Sequence, residues 1–252
     1  YSSGRQDYYG CITAMDEQVG RLYAKLKELK IEENTIIFFC SDNGPEGKEE
    51  SDDKPGVTGG LRGRKRSLYC GGVGVPAFIK WPGKTDNPSV SDYICGTLDY
   101  FPTIINELGL EMPDDRPIDG ISLLPMLNGI ETSRSKPMPF IHRGKFAWIK
   151  GDLKYMTNSS KVSEVYNLRN DRFETTNLIS QFPEKVKEID NHIVDWNYSC
   201  YKSHAGFDYG AGFTPVDLWD GWKVVTSTES LFINEPGFYP NPANTHIHFN
   251  TK

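Results

Sequence analysis

The sequence lacks the features that would place it in a specialised class of protein. It has no run of about 18 or more apolar residues, so no membrane-spanning helix is expected. Its basic residues are interspersed with acidic ones and the formal net charge is −6, which argues against a nucleic-acid-binding surface. With 37% hydrophobic and 25% charged residues, the composition is that of an ordinary globular protein.

The five cysteines are widely spaced and include no Cys-x-x-Cys pair, which excludes the usual zinc motifs and a dense disulfide framework. The start of the chain is also unlike a signal peptide, because no basic residues precede an apolar stretch. Tyr1 leads almost directly into an amphipathic segment. We therefore expect the chain to be a fragment whose upstream part is missing.

The first half of the chain alternates helix-like and strand-like segments. Apolar residues at steps of three and four predict a helix over 7–30 whose apolar stripe packs in a core. The short apolar segment 35–40 predicts a strand buried on both faces, as in a parallel sheet, and 77–81 predicts a second buried strand. A short helix is expected over 99–108, and residues 119–125 are expected to begin another. The stripe of the first helix comprises Tyr8, Ile12, Met15, Val19, Leu22, Leu26 and Leu29.

The pattern changes near residue 134. Short strand-like pieces separated by turn residues are followed by a helical segment over 183–201, which predicts a small antiparallel sheet with a packed helix. We divide the chain into a larger domain over 1–133, a small domain over 134–209 and a tail over 210–252 without clear periodicity. The predicted strands cover 139–142, 146–150, 154–157 and 164–168.

Asp42 and Asn43 directly follow the first predicted strand, in the sequence Cys-Ser-Asp-Asn-Gly. In parallel α/β sheets, ligands bind beyond the carboxyl ends of the strands. One carboxylate and one amide oxygen at that position suit Ca²⁺ or Mg²⁺ better than a soft metal. The alternative interpretation is an ordinary Asp-Asn-Gly turn.

Lys65 lies in a glycine-containing segment, 59–67, that also holds three arginines. A lysine there can bind an oxyanion such as sulfate or phosphate and stabilise charge that develops on a leaving oxygen. The alternative is a solvated run of charge.

Several motifs, taken in series, closely resemble the type I sulfatases. The first are Ala-Met-Asp-Glu-Gln-Val-Gly-Arg-Leu over 14–22 and Ile-Ile-Phe-Phe-Cys-Ser-Asp-Asn-Gly over 36–44. Further matches are Gly-Gly-Leu-Arg-Gly-Arg-Lys-Arg-Ser over 59–67, Asp-Tyr-Phe-Pro-Thr over 99–103 and Asp-Gly-Ile-Ser-Leu-Leu-Pro over 119–125. Val-Tyr-Asn-Leu over 165–168 and Glu-Thr-Thr-Asn-Leu over 174–178 resemble the family's small domain, so the resemblance extends over residues 1–209.

The resemblance implies an α/β protein. The expected fold is the C-terminal part of the large domain of an alkaline-phosphatase-like sandwich, followed by a small C-terminal α+β domain. The implied activity is hydrolysis of sulfate monoesters, with sulfated carbohydrates as the expected substrates. The implied location is extracellular, periplasmic or lysosomal.

The resemblance also assigns roles to four residues. Asp42 and Asn43 match two ligands of the family's single divalent cation, usually Ca²⁺. Lys65 matches the catalytic lysine that binds the substrate sulfate. His142 precedes a turn of the small domain that in this family can border the substrate cleft, so we expect it to contact substrate.

The chain departs from the family at the nucleophile. That residue is a formylglycine made from the first residue of a Cys/Ser-x-Pro/Ala-x-Arg motif, and none of the five cysteines begins one. We expect the formylglycine upstream of Tyr1, with two metal-binding aspartates, and we predict that this chain alone is inactive. Cys70 and Gly74 also stand where the family usually has Glu and Arg. Two alternatives stay open: a phosphoesterase of the same superfamily, and a binding protein that has the sulfatase fold without its chemistry.

Overall fold

The computed structural model describes residues 3–47, 56–157 and 161–209, so the predicted tail over 210–252 lies outside the described residues. The chain forms two compact units. Of the described residues, unit 1 contains 3–47, 56–110, 120–136 and 168–175, and unit 2 contains 111–119, 137–157, 161–167 and 176–209. None of the helices among the described residues has the length and apolar character needed to cross a membrane.

Unit 1 begins with helix α1, Ser3–Glu28. The predicted helix is confirmed, but the prediction that its apolar stripe is buried is wrong: Ile12, Met15 and Leu22 are 41%, 47% and 57% exposed. The spacing of apolar residues determines which side chains share a face, whereas their burial depends on a partner element. The described residues include no element that buries this face.

Two short strands follow α1 in unit 1. Strand β1, Ile37–Cys40, pairs antiparallel with β2, Ala77–Lys80, so that Cys40 lies opposite Ala77. Both predicted strands are therefore confirmed, whereas parallel pairing and full burial are not found in the described residues.

Aromatic contacts explain why β1 is apolar on both faces. On one face the ring of Phe38 stacks on that of Tyr100, with the ring centroids 4.5 Å apart. On the other face Phe39 stacks on Phe78 with a centroid separation of 4.9 Å. A strand that packs aromatic rings on both sides has no reason to alternate apolar and polar residues.

Unit 1 also contains three short helices: α2, Cys70–Val73, α3, Tyr100–Glu107, and α4, Leu124–Leu127. The fully buried carboxylate of Asp99 fixes the start of α3. It accepts hydrogen bonds from the backbone N–H groups of Gly96 and Ile121, both at 2.9 Å, and from the Arg134 guanidinium at 2.7 Å. Single 3₁₀ turns occur at Glu32–Asn34, Thr97–Asp99 and, in unit 2, Ile179–Gln181.

Unit 2 is a four-stranded antiparallel sheet covered by one long helix, as the sequence predicts. The strands lie in the order β3-β4-β5-β6, and helix α5 spans Pro183–His204. Ile189 and Ile193 of α5 pack in the core against side chains of the sheet that include Phe146 and Val165. The strand bounds are Met138–His142 for β3, Lys145–Lys150 for β4, Leu153–Thr157 for β5 and Val162–Asn167 for β6.

Two glycines allow three backbone segments of unit 1 to touch. The N–H of Gly44, just after β1, donates to the carbonyl oxygen of Gly72 in α2 at 2.8 Å. A Cβ on Gly44 would overlap the carbonyl oxygen of Gly71, and a Cβ on Gly72 would overlap that of Ser67. A side chain at residue 44 would therefore separate the end of β1 from the segment 61–72, and one at residue 72 would disrupt the backbone of that segment.

Replacing Gly44 by Ala is expected to lower the free energy of unfolding by about 1–3 kcal/mol, because the added methyl group meets rigid backbone. The matched control is Gly20→Ala on the exposed surface of α1, where an added Cβ meets nothing within 4 Å. This control should raise stability by roughly 0.5–1 kcal/mol, since alanine favours helix. Urea denaturation followed by circular dichroism measures both, and equal effects would contradict the close contact.

Replacing Ile193 by Ala is expected to destabilise the chain by about 2–5 kcal/mol, because the side chain is 1% exposed in the core of unit 2 and its loss leaves a cavity. The exposed neighbour Asn191 on the same helix provides the control, and its replacement by Ala should change stability by less than about 0.5 kcal/mol. Guanidinium denaturation compares the two; a loss for Ile193→Ala no larger than for the control would contradict the described core.

Candidate functional site

The turn that follows β1 presents Asp42 and Asn43. The N–H of Ser41 donates to the carbonyl oxygen of Pro76 at 3.2 Å, which extends the pairing of β1 and β2 by one residue. The Ser41 hydroxyl donates to the carbonyl oxygen of Asn43 at 3.2 Å, and the side-chain N–H of Asn43 donates to the carbonyl of Gly44 at 2.9 Å. These bonds close a tight turn that leaves the Asp42 carboxylate exposed to solvent.

The chemistry of this turn fits part of a site for a hard cation. The amide of Asn43 uses its N–H group within the turn, and among the described residues no group donates to its side-chain oxygen. Together with the exposed Asp42 carboxylate, that oxygen provides two hard ligands. Ca²⁺ takes about 6–8 oxygen ligands in proteins. No cluster of three or more His, Cys, Asp or Glu side chains suited to a metal occurs in the described part of the chain, and the binding of a cation by this turn stays a prediction.

Lys65 lies in a tight turn directly beside the Asp42–Asn43 turn. Its backbone N–H donates to the carbonyl oxygen of Pro45 at 3.1 Å, and the N–H of Ser67 closes the turn by donating to the carbonyl of Arg64 at 2.9 Å. With the contact of Gly44 to Gly72, these bonds hold the segment 61–72 against the end of β1. The structure therefore brings the backbones that carry Asp42, Asn43 and Lys65 together.

Among the described residues, Glu46 forms an ion pair with Lys65. One of its carboxylate oxygens accepts a hydrogen bond from the Arg66 guanidinium at 2.5 Å, while the other lies 3.9 Å from the Lys65 ammonium. The hydrogen bond from Arg66 lowers the pKa of Glu46, and the same bond raises the pKa of Arg66. Because the contact to Lys65 is long and both side chains are partly exposed, it holds the ammonium weakly. The binding of an anion by Lys65 stays a prediction.

His142 belongs to unit 2, where it is the last residue of β3. It lies opposite Lys145 across a two-residue turn, and both turn residues, Arg143 and Gly144, have positive φ angles of 49° and 72°. Turns of this kind match the twist of a hairpin. The expected turn after His142 is confirmed, and the contact of His142 with substrate stays a prediction.

Cys70 and Gly74 mark the two ends of α2. The backbone N–H of Cys70 donates to a side-chain oxygen of Glu174 at 2.6 Å, and the N–H of Gly74 donates to the carbonyl oxygen of Cys70 at 2.7 Å. Position 70 is thus tied to a distant glutamate through its backbone, which any residue type there except proline would provide.

The positions of two glutamates near the candidate site were not predicted from the sequence. Glu46 stands in a polar loop segment without any pattern that separates it from its charged neighbours. Glu174 was noted only as part of a motif of the small domain, yet it belongs to unit 1 and contacts Cys70, which is 104 positions earlier in the chain. Sequence spacing does not indicate contacts of that range.

Comparisons with known proteins find sulfatases among the relatives of this chain. The Sulfatase family model matches residues 2–110. N-acetylgalactosamine-6-sulfatase of Sus scrofa is 38% identical over 144 residues, which are 57% of this chain and 27% of that protein. Human steryl-sulfatase is 34% identical over 240 residues, or 92% of this chain and 37% of that protein. The chain thus spans 27% and 37% of the length of these two relatives.

A solved structure carries the same fold. The PsFucS1 sulfatase from Pseudoalteromonas sp. superposes with a TM-score of 0.60 at 24% identity, over 76% of this chain and 42% of that chain. This match confirms the predicted fold class of an α/β sulfatase sandwich with a small α+β part. Residues 2–110 match the Sulfatase family, and the two curated relatives and the shared fold show that the chain is similar to sulfatases over most of its length.

Proposed function

We propose that the whole protein hydrolyses sulfate monoesters and that this chain supplies part of its cation- and sulfate-binding site. One observation carries the proposal: the backbones on either side of the candidate site are joined by two hydrogen bonds. These are Gly44 N–H to Gly72 O at 2.8 Å and Lys65 N–H to Pro45 O at 3.1 Å. They support the proposal because they join the turn that carries Asp42 and Asn43 to the turn that carries the weakly held Lys65 ammonium group.

Each residue has a distinct role in this proposal. The Asp42 carboxylate and the Asn43 side-chain oxygen hold a divalent cation, which we propose to be Ca²⁺. The bound cation neutralises negative charge on the sulfuryl oxygens. Lys65 binds a sulfate oxygen and stabilises the charge that develops on the leaving oxygen. The nucleophile, a formylglycine, comes from residues outside this chain, because none of the five cysteines here begins the required motif.

We propose sulfated carbohydrates as the substrates. The pig relative is named as an N-acetylgalactosamine-6-sulfatase, while another relative of the same chain is named as a steryl-sulfatase. A sugar and a sterol have little in common besides the sulfate group. We therefore expect the recognition of sulfate to be common to both relatives and the choice of alcohol to depend on residues that differ between them.

The remaining expectations stay part of the proposal. Residues 1–133 are proposed as the C-terminal part of the catalytic domain and 134–209 as the small domain, although the compact units exchange 111–119 and 168–175. His142 is proposed to contact the substrate. The whole protein acts in an extracellular, periplasmic or lysosomal setting. A single carboxylate paired with a neutral amide at 42–43 favours one cation and sulfate-ester hydrolysis over the two-metal chemistry of the related phosphoesterases.

Replacing Lys65 by Ala in the whole protein should lower kcat/KM for an aryl sulfate by roughly 10²–10³-fold, as is typical when one charge-stabilising donor is removed. Lys84→Ala is the matched control, because Lys84 is a lysine of the same unit whose ammonium lies 3.5 Å from the carboxylate of Glu107. Initial rates of sulfate release measure both variants. A Lys65→Ala enzyme as active as the control would rule out the proposed role.

Replacing Asp42 by Ala in the whole protein should weaken Ca²⁺ binding by at least roughly 10- to 100-fold, because a charged ligand is removed. Loss of a residue that only hydrogen-bonds a metal ligand already costs about that much affinity. Isothermal titration calorimetry measures the affinity, and Asp86→Ala is the control, since the Asp86 carboxylate accepts a hydrogen bond from Gly83 N–H. Unchanged affinity after Asp42→Ala would exclude Asp42 as a ligand.

The 252-residue chain by itself should release no sulfate from an aryl sulfate, because it lacks the nucleophile. A colorimetric assay of the purified chain tests this expectation. Sulfate release that disappears on Asp42→Ala would refute it and would require a nucleophile within these residues.

A further inference from the structure

A buried glutamate reaches the candidate site from a distant part of the sequence. Glu174 follows β6 in the chain but belongs to unit 1, where it is 1% exposed. A tight turn presents it: the Asp171 carboxylate accepts hydrogen bonds from the backbone N–H and hydroxyl of Thr175 at 2.9 and 3.1 Å. The N–H of Glu174 donates to the Asp171 carbonyl at 3.1 Å, and Glu174 adopts a positive φ of 57°. The backbone is thus held in a conformation that costs energy for a residue other than glycine.

This turn, residues 171–175, contacts the segment that carries Lys65 at three points. The Glu174 carboxylate accepts a hydrogen bond from the backbone N–H of Cys70 at 2.6 Å. The Arg62 guanidinium donates to the Glu174 carbonyl oxygen at 3.2 Å. The ring of Phe173 covers Gly60, where an added Cβ would lie 3.2 Å from the ring. Two of the contacts fall at the start of the stretch 60–70 and one falls at its end.

The contact at Cys70 is connected to the candidate site through a short series of backbone bonds. Cys70 begins α2, and the next residue, Gly71, donates its N–H to the carbonyl of Arg62 at 2.6 Å. Gly72 then accepts the N–H of Gly44 at the end of the Asp42–Asn43 turn. A displacement of Cys70 therefore shifts the backbone that fixes the distance between the two turns.

We propose that Glu174 is a positioning residue for the sulfate- and cation-binding site. Its carboxylate holds the segment 61–72 in register with the end of β1. In that position Lys65 and the cation at Asp42 bind the same sulfate group. The inference rests on the proposed function. A buried carboxylate bonded to a backbone amide suits this task, because such a bond is strong in a water-poor environment and is fixed in direction.

The test compares Glu174→Ala, which removes the acceptor, with Glu174→Gln, which keeps an acceptor oxygen at the same distance. Thr103→Ala is the control for loss of stability alone. Thr103 is fully buried in the same unit and makes two hydrogen bonds, to the Asp99 carbonyl at 2.6 Å and from the Leu123 N–H at 2.9 Å. Neither bond involves the segment 61–72.

The first measurement is amide hydrogen exchange of the 252-residue chain. In Glu174→Ala we expect faster exchange in peptides that cover 41–45 and 61–74, because the bonds of Cys70, Gly71 and Gly44 open together. Glu174→Gln should exchange nearly like the wild-type chain, and Thr103→Ala should leave both peptides unchanged. If Glu174→Ala does not fold, Glu174→Asp takes its place, because its shorter side chain should open the same peptides while Glu174→Gln does not. Unchanged exchange in the folded variant would overturn the inference.

The second measurement is kcat/KM of the whole protein with an aryl sulfate, corrected for the folded fraction. We expect Glu174→Ala to lose up to about 10²-fold, as displacement of a binding group by about 1 Å does, and Glu174→Gln to restore most of it. Full activity with opened segments would overturn the inference while leaving the proposed function standing. A wild-type protein that releases no sulfate would instead overturn the proposed function, and with it the catalytic part of the inference.

Discussion

The candidate site depends on the direct contact of two backbones at Gly44 and Gly72. Their hydrogen bond of 2.8 Å requires that neither residue carry a side chain, since a Cβ on either would overlap a neighbouring carbonyl oxygen. This contact sets the separation between the turn with Asp42 and the turn with Lys65. The chemistry proposed for those side chains therefore depends on two glycines that take no part in it.

Sequence periodicity predicted the elements of this protein better than their surroundings. Helices α1 and α5 both show apolar residues at steps of three and four, and both form. Ile193 of α5 is buried because the sheet that covers it is built from the residues just before it in the chain. Leu22 of α1 is 57% exposed, although its pattern is as regular. A helical pattern specifies a face, and only a partner element decides whether that face becomes a core.

The parts of the site differ in how far the sequence predicts them. Asp42 and Asn43 follow a short apolar strand and precede a glycine, so their place at a strand end can be predicted from local pattern alone. The role of Lys65 came from a resemblance, because four basic residues within 62–66 look alike as a pattern. Glu174 contacts Cys70 across 104 positions, and neither turn chemistry nor periodicity encodes a contact of that range. The motif that contains Glu174 is part of the resemblance to the family, but the motif does not indicate which residue Glu174 contacts.

The membership of Leu168–Thr175 in unit 1 limits how this protein can be divided. The chain completes the sheet of unit 2 at Asn167, contributes eight residues to unit 1, and then resumes unit 2 at Thr176. No single cut can release the two units intact, because truncation before Leu168 deprives unit 1 of its last segment. Recombination between sulfatase genes that exchanged the C-terminal sheet would therefore also exchange the residues 168–175. Such chimaeras would receive residues 168–175 of unit 1 together with the sheet of unit 2. The segment exchanged would therefore be larger than unit 2 alone.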